Sequence, residues 1–368
     1  MRHLLEARLV NEPFGDPGLF VDLRDERRAL LFDLGDIAAL PPRKLMRLTH
    51  VFVSHTHMDH FVGFDTLLRV VLGRKEQVTL TGGPGFVDQV GHKLQAYRWN
   101  VVHRYAVPLT LEVREVDPDG RGRAARFSSR DGFARHDGAP FVVDGDRLLD
   151  EPLLGVRGRF VDHEMPCLAF AIEEKPRPRV AKDRLAMLGV HTGAWLRQLR
   201  AAVLAGAPAS TPIRVRWRDR DGGHDAWRSV GELAAALLEP TAPRRIGYVT
   251  DLRYTEANLR TLDALLAGVD ELFIESPFLD AERAHAERKN HLTARQAGRI
   301  ARRLGAHYVV PFHFSPRYRP DAAALIGEVE AARQGWIGGD AAPARDAAPP
   351  ASDHGAETTD DQWTRALR

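Results

Sequence analysis

The sequence predicts a mixed α/β fold with a basic insertion, and three observations lead there. Short apolar runs of strand character alternate with helix-length stretches along most of the 368 residues. Four metal-capable side chains crowd into Ser54-His55-Thr56-His57-Met58-Asp59-His60, where a strand meets a helix. Between Lys175 and Arg220, eleven Lys or Arg stand against only Asp183 and Asp219. That segment therefore carries +9, and since the formal net charge is +2, the rest carries −7.

In chain order, Ala29 to Phe32, Val51 to Val53, Val78 to Leu80 and Val101 to Val102 read as strands, and Asp65 to Leu72 as a helix. Residues 116 to 146, rich in Asp, Gly and Arg, read as loops and hairpin turns. Further strands are expected at Cys167 to Ile172, Ile246 to Thr250, Glu271 to Glu275 and Tyr308 to Phe314, with helices at Thr255 to Ala267 and Thr293 to Leu304. The last helix has the clearest ends: Thr293-x-x-Gln296 matches a capping box, and Gly305 follows Leu304. The expected organisation is one large domain over 1–337 with an inserted arm at 173–245. An Ala-, Pro- and Asp-rich tail at 338–368 is expected to be disordered.

Composition narrows the function class. With 44% hydrophobic and 28% charged residues the chain can bury a sizeable core, and no run approaches the roughly 18 apolar residues that a membrane span needs. Cys167 is the only cysteine, which excludes an intramolecular disulfide and makes it a small core residue. No secretion signal opens the sequence, so a cytoplasmic location with no membrane partner is expected. The modest net charge gives no reason to expect DNA binding.

His55, His57, Asp59 and His60 leave one strand end together, and imidazole nitrogen and carboxylate oxygen are zinc-type donors. Four residues do not complete two coordination spheres. His163, ahead of the strand at Cys167, Asp251, after Ile246 to Thr250, and His313, near the end of Tyr308 to Phe314, stand at other strand ends and complete the count. The expected arrangement puts His55, His57 and His163 on one ion and Asp59, His60 and His313 on a second, with Asp251 bridging. Two such ions suit in-line displacement at phosphorus. Asp59 has a spare oxygen to orient the attacking water. A phosphodiester leaving oxygen also needs a proton, for which His291, charged by Glu275, is the candidate general acid. Manganese or iron could replace zinc on the same donors.

These residues resemble ribonuclease Z, the transfer RNA 3′-processing branch of the metallo-β-lactamase superfamily. The likeness runs from Ser54 to Tyr318 and rests on the Ser54 to His60 turn, His163, Asp251, Glu275, His291-Leu292-Thr293 and Phe312-His313-Phe314-Ser315-Pro316-Arg317-Tyr318. In addition, Leu188-Gly189-Val190-His191-Thr192-Gly193-Ala194-Trp195-Leu196 is similar to the family's Gly-Val-Pro-Pro-Gly-Pro segment after its tRNA-binding arm. Two loops depart from the family pattern: Val10-Asn11-Glu12-Pro13 replaces a Gly-rich turn, and Thr250-Asp251-Leu252 replaces Gly-Asp-Thr.

The resemblance implies a metallo-β-lactamase αββα sandwich, usually a homodimer, that cuts precursor tRNA after the discriminator nucleotide to leave a 3′ hydroxyl. In the basic arm, Lys175, Arg177, Arg179 and Lys182 are the candidate RNA contacts. Two other readings keep part of this. One is a hydrolase of a small phosphodiester or other small ester that needs no arm; the other is a metal-stabilised RNA-binding protein with a silent site.

Overall fold

A computed structural model of the chain describes residues 3–24, 26–176, 178–219, 222–240 and 243–335. The tail expected from residue 338 lies outside the described residues. Contacts divide the described residues into two compact units, one within 3–149, 156–172 and 245–335 and the other within 150–155 and 173–244.

The first unit holds two sheets. One has nine strands, and at its centre Arg28–Phe32, Leu48–Phe52, Gln77–Gly82 and Thr110–Val116 run parallel. In the six-stranded sheet, Arg245–Val249, Glu271–Glu275 and Tyr308–Phe312 are also parallel. The sheets meet through aromatic side chains: Phe170 packs edge-on to Phe32 and lies 6.0 Å from Phe52, and Tyr248 sits 6.2 Å from Phe32. Each sheet also carries a helical layer. Phe64, Leu67 and Leu68 of the helix Phe64–Val71 and Phe86, Val90 and Leu94 of Phe86–Gln95 bury against the larger sheet. Leu262 and Leu266 of Glu256–Leu266 and Ala297, Ile300 and Leu304 of Ala294–Leu304 bury against the other. This layering is the αββα sandwich.

The capping box at Thr293 and Gln296 forms, and Gly305 closes the helix in the left-handed conformation (φ 67°). Gly298 on that helix faces Ala322–Arg333, where a β-carbon would lie 2.2 Å from Val329 O and 2.7 Å from Ala332 Cβ. Gly298→Ala is therefore expected to destabilise by about 1–3 kcal/mol through overpacking. A melting temperature equal to wild type at matched metal loading would contradict this packing.

Two expectations change. Val101 and Val102 form no strand: Val102–Arg104 is a single 3-10 turn, with Val102 N–H donating to Trp99 O and its side chain buried in the core. Two apolar residues are too few for a ladder, and the sheet's next strand is Thr110–Val116. In the loop region at 116 to 146, Arg121–Ser128 is a full strand paired with Thr110–Val116. Its alternation of Arg with small or apolar residues buries one face only.

The second unit has its own core of Val190, Trp195, Leu199, Val215, Leu233 and Leu237. It is built from the helices Lys182–Met187, Trp195–Leu204 and Val230–Leu237, the hairpin Pro212–Asp219 with Gly222–Ser229, and the short pair Pro178–Val180 with Leu238–Pro240. Trp195 explains the apolar end of the Leu188 to Leu196 segment, since it is 2% exposed and donates to His191 O. Arg197, Arg200, Arg214, Arg216 and Arg218 remain on the solvent side.

Candidate metal centre

The parallel strands decide where chemistry collects, because their carboxyl ends and following loops open at one edge of each sheet. Leu48–Phe52 delivers Ser54 and His55 there, and the helix Met58–Phe61 then begins with His57 as its N-cap. The six-stranded sheet contributes Asp251 after Arg245–Val249, Glu275 at the end of its strand and His313 after Tyr308–Phe312. His163 comes from the turn between Leu154–Asp162 and Pro166–Glu174. His313 adopts φ 60°, so its backbone leaves the strand at once and the ring turns inward.

All seven nominated ligands lie together. His55, His57, His163 and Asp251 form one group whose ligand atoms are within 4.8 Å of one another, and Asp59, His60 and His313 form another. Asp251 lies between them: its Oδ2 is 3.6 Å from His55 Nε2 and 3.5 Å from both His60 Nε2 and His163 Nε2, while Oδ1 is 3.0 Å from His313 Nδ1. Asp59 Oδ2 is 3.2 Å from His313 Nε2 and 3.6 Å from His60 Nε2. Two donors each about 2.1 Å from a tetrahedral ion lie about 3.4 Å apart, so most of these separations suit a shared cation better than a direct hydrogen bond.

The donor atoms fit a metal on a second count. His55 Nε2 and His60 Nε2 are buried without a hydrogen-bond partner, an expensive state for a ring nitrogen unless an ion takes the lone pair. Opposite nitrogens are meanwhile held: His60 Nδ1 donates to Asp33 Oδ2 at 2.9 Å, His163 Nδ1 donates to Asn290 O at 2.9 Å, and His55 Nδ1 lies 3.1 Å from Ser54 Oγ. Such contacts fix tautomer and ring orientation.

Electrostatics agree. Burial, helped by His60, drives the His55 pKa down to about 2, so the ring is neutral. Burial also lowers His57, with His163 adding to it. At His60 burial opposes charge, but Asp251 and Asp33 outweigh it and lift the pKa to about 10; His313 is raised in the same way, chiefly by Asp251. Burial would raise Asp251 and Asp59, yet the charges of His313 and His60 hold Asp251 low, and the His313 hydrogen bond does so for Asp59. The carboxylates thus call for positive charge at the centre, which a divalent cation supplies in place of ring protons.

Beside this cluster, His291 Nδ1 lies 2.6 Å from Glu275 Oε2, and Glu275 is fully buried. The other Glu275 oxygen accepts from Leu252 N and Leu292 N, tying the Asp251 and His291 loops together. Burial works against a charged His291, but Glu275 prevails and raises its pKa. Phe278, 6.2 Å from the imidazole, bounds it on one side.

The nominated RNA contacts lie in the second unit, and only one has a described side chain. Lys175 Nζ is 2.6 Å from Asp150 Oδ1. Arg177 lies outside the described residues, as do the side chains of Arg179, within Pro178–Val180, and Lys182, at the start of Lys182–Met187. Sequence reasoning missed Asp33, which is buried and follows the strand Arg28–Phe32. The strand-end rule that found Asp251 could have found it. It also missed Arg253, whose guanidinium reaches Asn290 Oδ1, Asp162 and Glu164 around His163. The departing loop at Val10 to Pro13 is held by Asn11, which donates to the carbonyls of Asp16 and Asp36.

Residues 200–314 match a family model described as a beta-lactamase superfamily domain. Over 322 residues the chain is 33% identical to ribonuclease Z of Deinococcus radiodurans, covering 86% of this chain and 92% of that protein. It is 27% identical over 321 residues to ribonuclease Z of Bacteroides fragilis, covering 84% and 86%. Among solved structures, the short form of human tRNase Z aligns over 86% of this chain and 92% of its own, with 16% identity and a TM-score of 0.47.

Proposed function

The chain belongs to the ribonuclease Z family of the metallo-β-lactamase superfamily, and from that premise we propose that it is a zinc-dependent endonuclease that removes the 3′ trailer of precursor tRNA. The observation that carries this reading beyond generic hydrolysis is the pairing of half-buried His291 with buried Glu275 beside the metal-ligand cluster. A ribose oxygen is a poor leaving group and needs a proton donor; an activated ester does not.

His55, His57 and His163 would hold one ion and Asp59, His60 and His313 the other, with Asp251 shared between them. Bound divalent ions make water nucleophilic near neutral pH and neutralise phosphoryl oxygens. The chain's own residues do the rest. Asp59, partly exposed at the start of its helix, accepts a hydrogen bond from the attacking water and aims it. His291, kept charged by Glu275, gives its proton to the departing 3′ oxygen of the discriminator nucleotide, and Glu275 steadies the imidazole before and after transfer. The basic second unit would grip RNA phosphates. There Lys175 contributes least, since its ammonium is already paired with Asp150.

The test is incubation of purified protein with a 3′-extended precursor tRNA and, separately, a bis(nitrophenyl) phosphate, with and without chelator. The expected products are tRNA ending in a 3′ hydroxyl and a 5′-phosphorylated trailer, both lost on chelation. Hydrolysis of the small ester alone would leave the metal chemistry standing and remove tRNA as substrate.

A further inference from the structure

The metal-ligand cluster stands on a layer of polar side chains, and one member of it comes from an unexpected direction. Asp33 is wholly buried and sits in the left-handed region at φ 60°, a conformation that aspartate tolerates better than most residues. Its Oδ1 accepts from Ser54 N at 2.7 Å. Its Oδ2 accepts from Ser54 Oγ at 3.0 Å, from His60 Nδ1 at 2.9 Å and from the Tyr248 hydroxyl at 3.1 Å. Ser54 and His60 belong to the loop and helix that follow Leu48–Phe52 in the same sheet. Tyr248 reaches across from the facing sheet.

Tyr248 is itself fully buried, in Arg245–Val249, three residues before Asp251. Its ring stacks on Phe312 at 5.4 Å and 17°, and His313 follows Phe312 directly. A phenylalanine would pack against Phe312 and Phe32 equally well, so packing does not account for the hydroxyl. A buried hydroxyl needs a partner, and burial together with the Asp33 charge raises the phenol pKa well above its ordinary value, which keeps it a donor. A buried carboxylate, in turn, holds one orientation only when fixed donors meet its lone pairs.

We propose that Tyr248 is a positioning residue of the metal centre: its hydroxyl locks the Asp33 carboxylate, and through Asp33 it fixes the orientation in which His60 and the Ser54-supported His55 present their free nitrogens. The sheet that carries Asp251 and His313 is thereby keyed to the sheet that carries His55 and His60. Removing the hydroxyl leaves Asp33 Oδ2 with two donors and a carboxylate free to turn, which loosens the His60 ring without touching a ligand. Outer partners of metal-binding histidines are worth roughly 10- to 100-fold in metal affinity.

The inference rests on the metal centre of the proposed function, and its test is zinc affinity measured without any substrate. Wild type, Tyr248→Phe, Asp33→Asn and the double variant are loaded with zinc chloride and titrated against a chromophoric chelator, with circular dichroism as the check on folding. Tyr248→Phe is expected to weaken zinc binding about tenfold. In the Asp33→Asn background the same change should weaken it no further, because the two residues act as one unit. Turnover lost by Tyr248→Phe at limiting zinc should return as zinc is raised. Unchanged affinity in Tyr248→Phe, or an equal loss in both backgrounds, overturns the role. Should Asp33→Asn not fold, the single Tyr248→Phe titration decides. A wild-type protein that retains no zinc would refute the metal centre itself, a result separate from either.

Discussion

Asp59→Ala is expected to lower turnover by at least about a thousandfold on both RNA and a chromogenic phosphodiester. That exceeds the roughly 100-fold ceiling for losing an outer partner alone, because in the proposed mechanism one substitution would remove both a ligand and the group that aims the water. Asp59 Oδ2 lies 3.2 Å from His313 Nε2 and 3.6 Å from His60 Nε2, between the two imidazoles with which it would share an ion. The fold should survive, since the Asp59 side chain is 42% exposed while the same helix is anchored by the buried Phe61. Kinetics at saturating zinc, with a melting curve beside them, are the check. Activity within tenfold of wild type would remove Asp59 from both roles.

His291→Ala should divide the substrates. A ribose oxygen leaves as a strong base and depends on the proton, so RNA cleavage is expected to fall about 10²- to 10⁴-fold; nitrophenolate leaves unaided, so chromogenic turnover should fall far less. Equal losses would take the acid role away from His291. Its partner gives a pH signature. The Glu275 charge, 2.6 Å from Nδ1, raises the His291 pKa, so neutralising it in Glu275→Gln lowers that pKa. A general acid works only while protonated, and activity fails as pH rises through its pKa. The alkaline limb of RNA cleavage should therefore move to lower pH in Glu275→Gln. An unmoved limb would mean that another group donates the proton.

How far the sequence discloses this site depends on how local each signal is. The turn from Ser54 to His60 puts four donors into six residues, a density that few structural roles require, and it could be read directly. His163, Asp251 and His313 were legible because each follows or precedes an apolar strand and the first turn left coordination positions to fill. Asp33 stands in a similar place, after Arg28–Phe32, yet a single aspartate ahead of Leu34-Gly35 has no spacing signature and its partners lie 21 to 215 residues away. Tyr248 reads as an ordinary strand aromatic, and nothing local marks its hydroxyl as reaching the other sheet.

The fold shows the same division. Glu271–Glu275 matches its expected bounds, and the helix Ala294–Leu304 follows its cap at Thr293, because periodicity and caps agree there. The strand Arg121–Ser128 was hidden among Asp, Gly and Arg because one of its faces meets solvent. Glycine also masked the helix Phe86–Gln95, where Gly91 packs 3.6 Å, from an ideal β-carbon, against the Phe127 ring.

The most direct measurement is the metal content of the purified protein. In the proposed assignment His55, His57 and His163 would hold one ion and Asp59, His60 and His313 the other, with Asp251, 3.5 Å from His60 Nε2 and 3.0 Å from His313 Nδ1, shared between them. Elemental analysis after metal-replete purification should give two divalent ions per chain, with precursor tRNA cleavage rising as the second site fills. Full cleavage activity at one ion per chain or fewer would contradict the dinuclear centre.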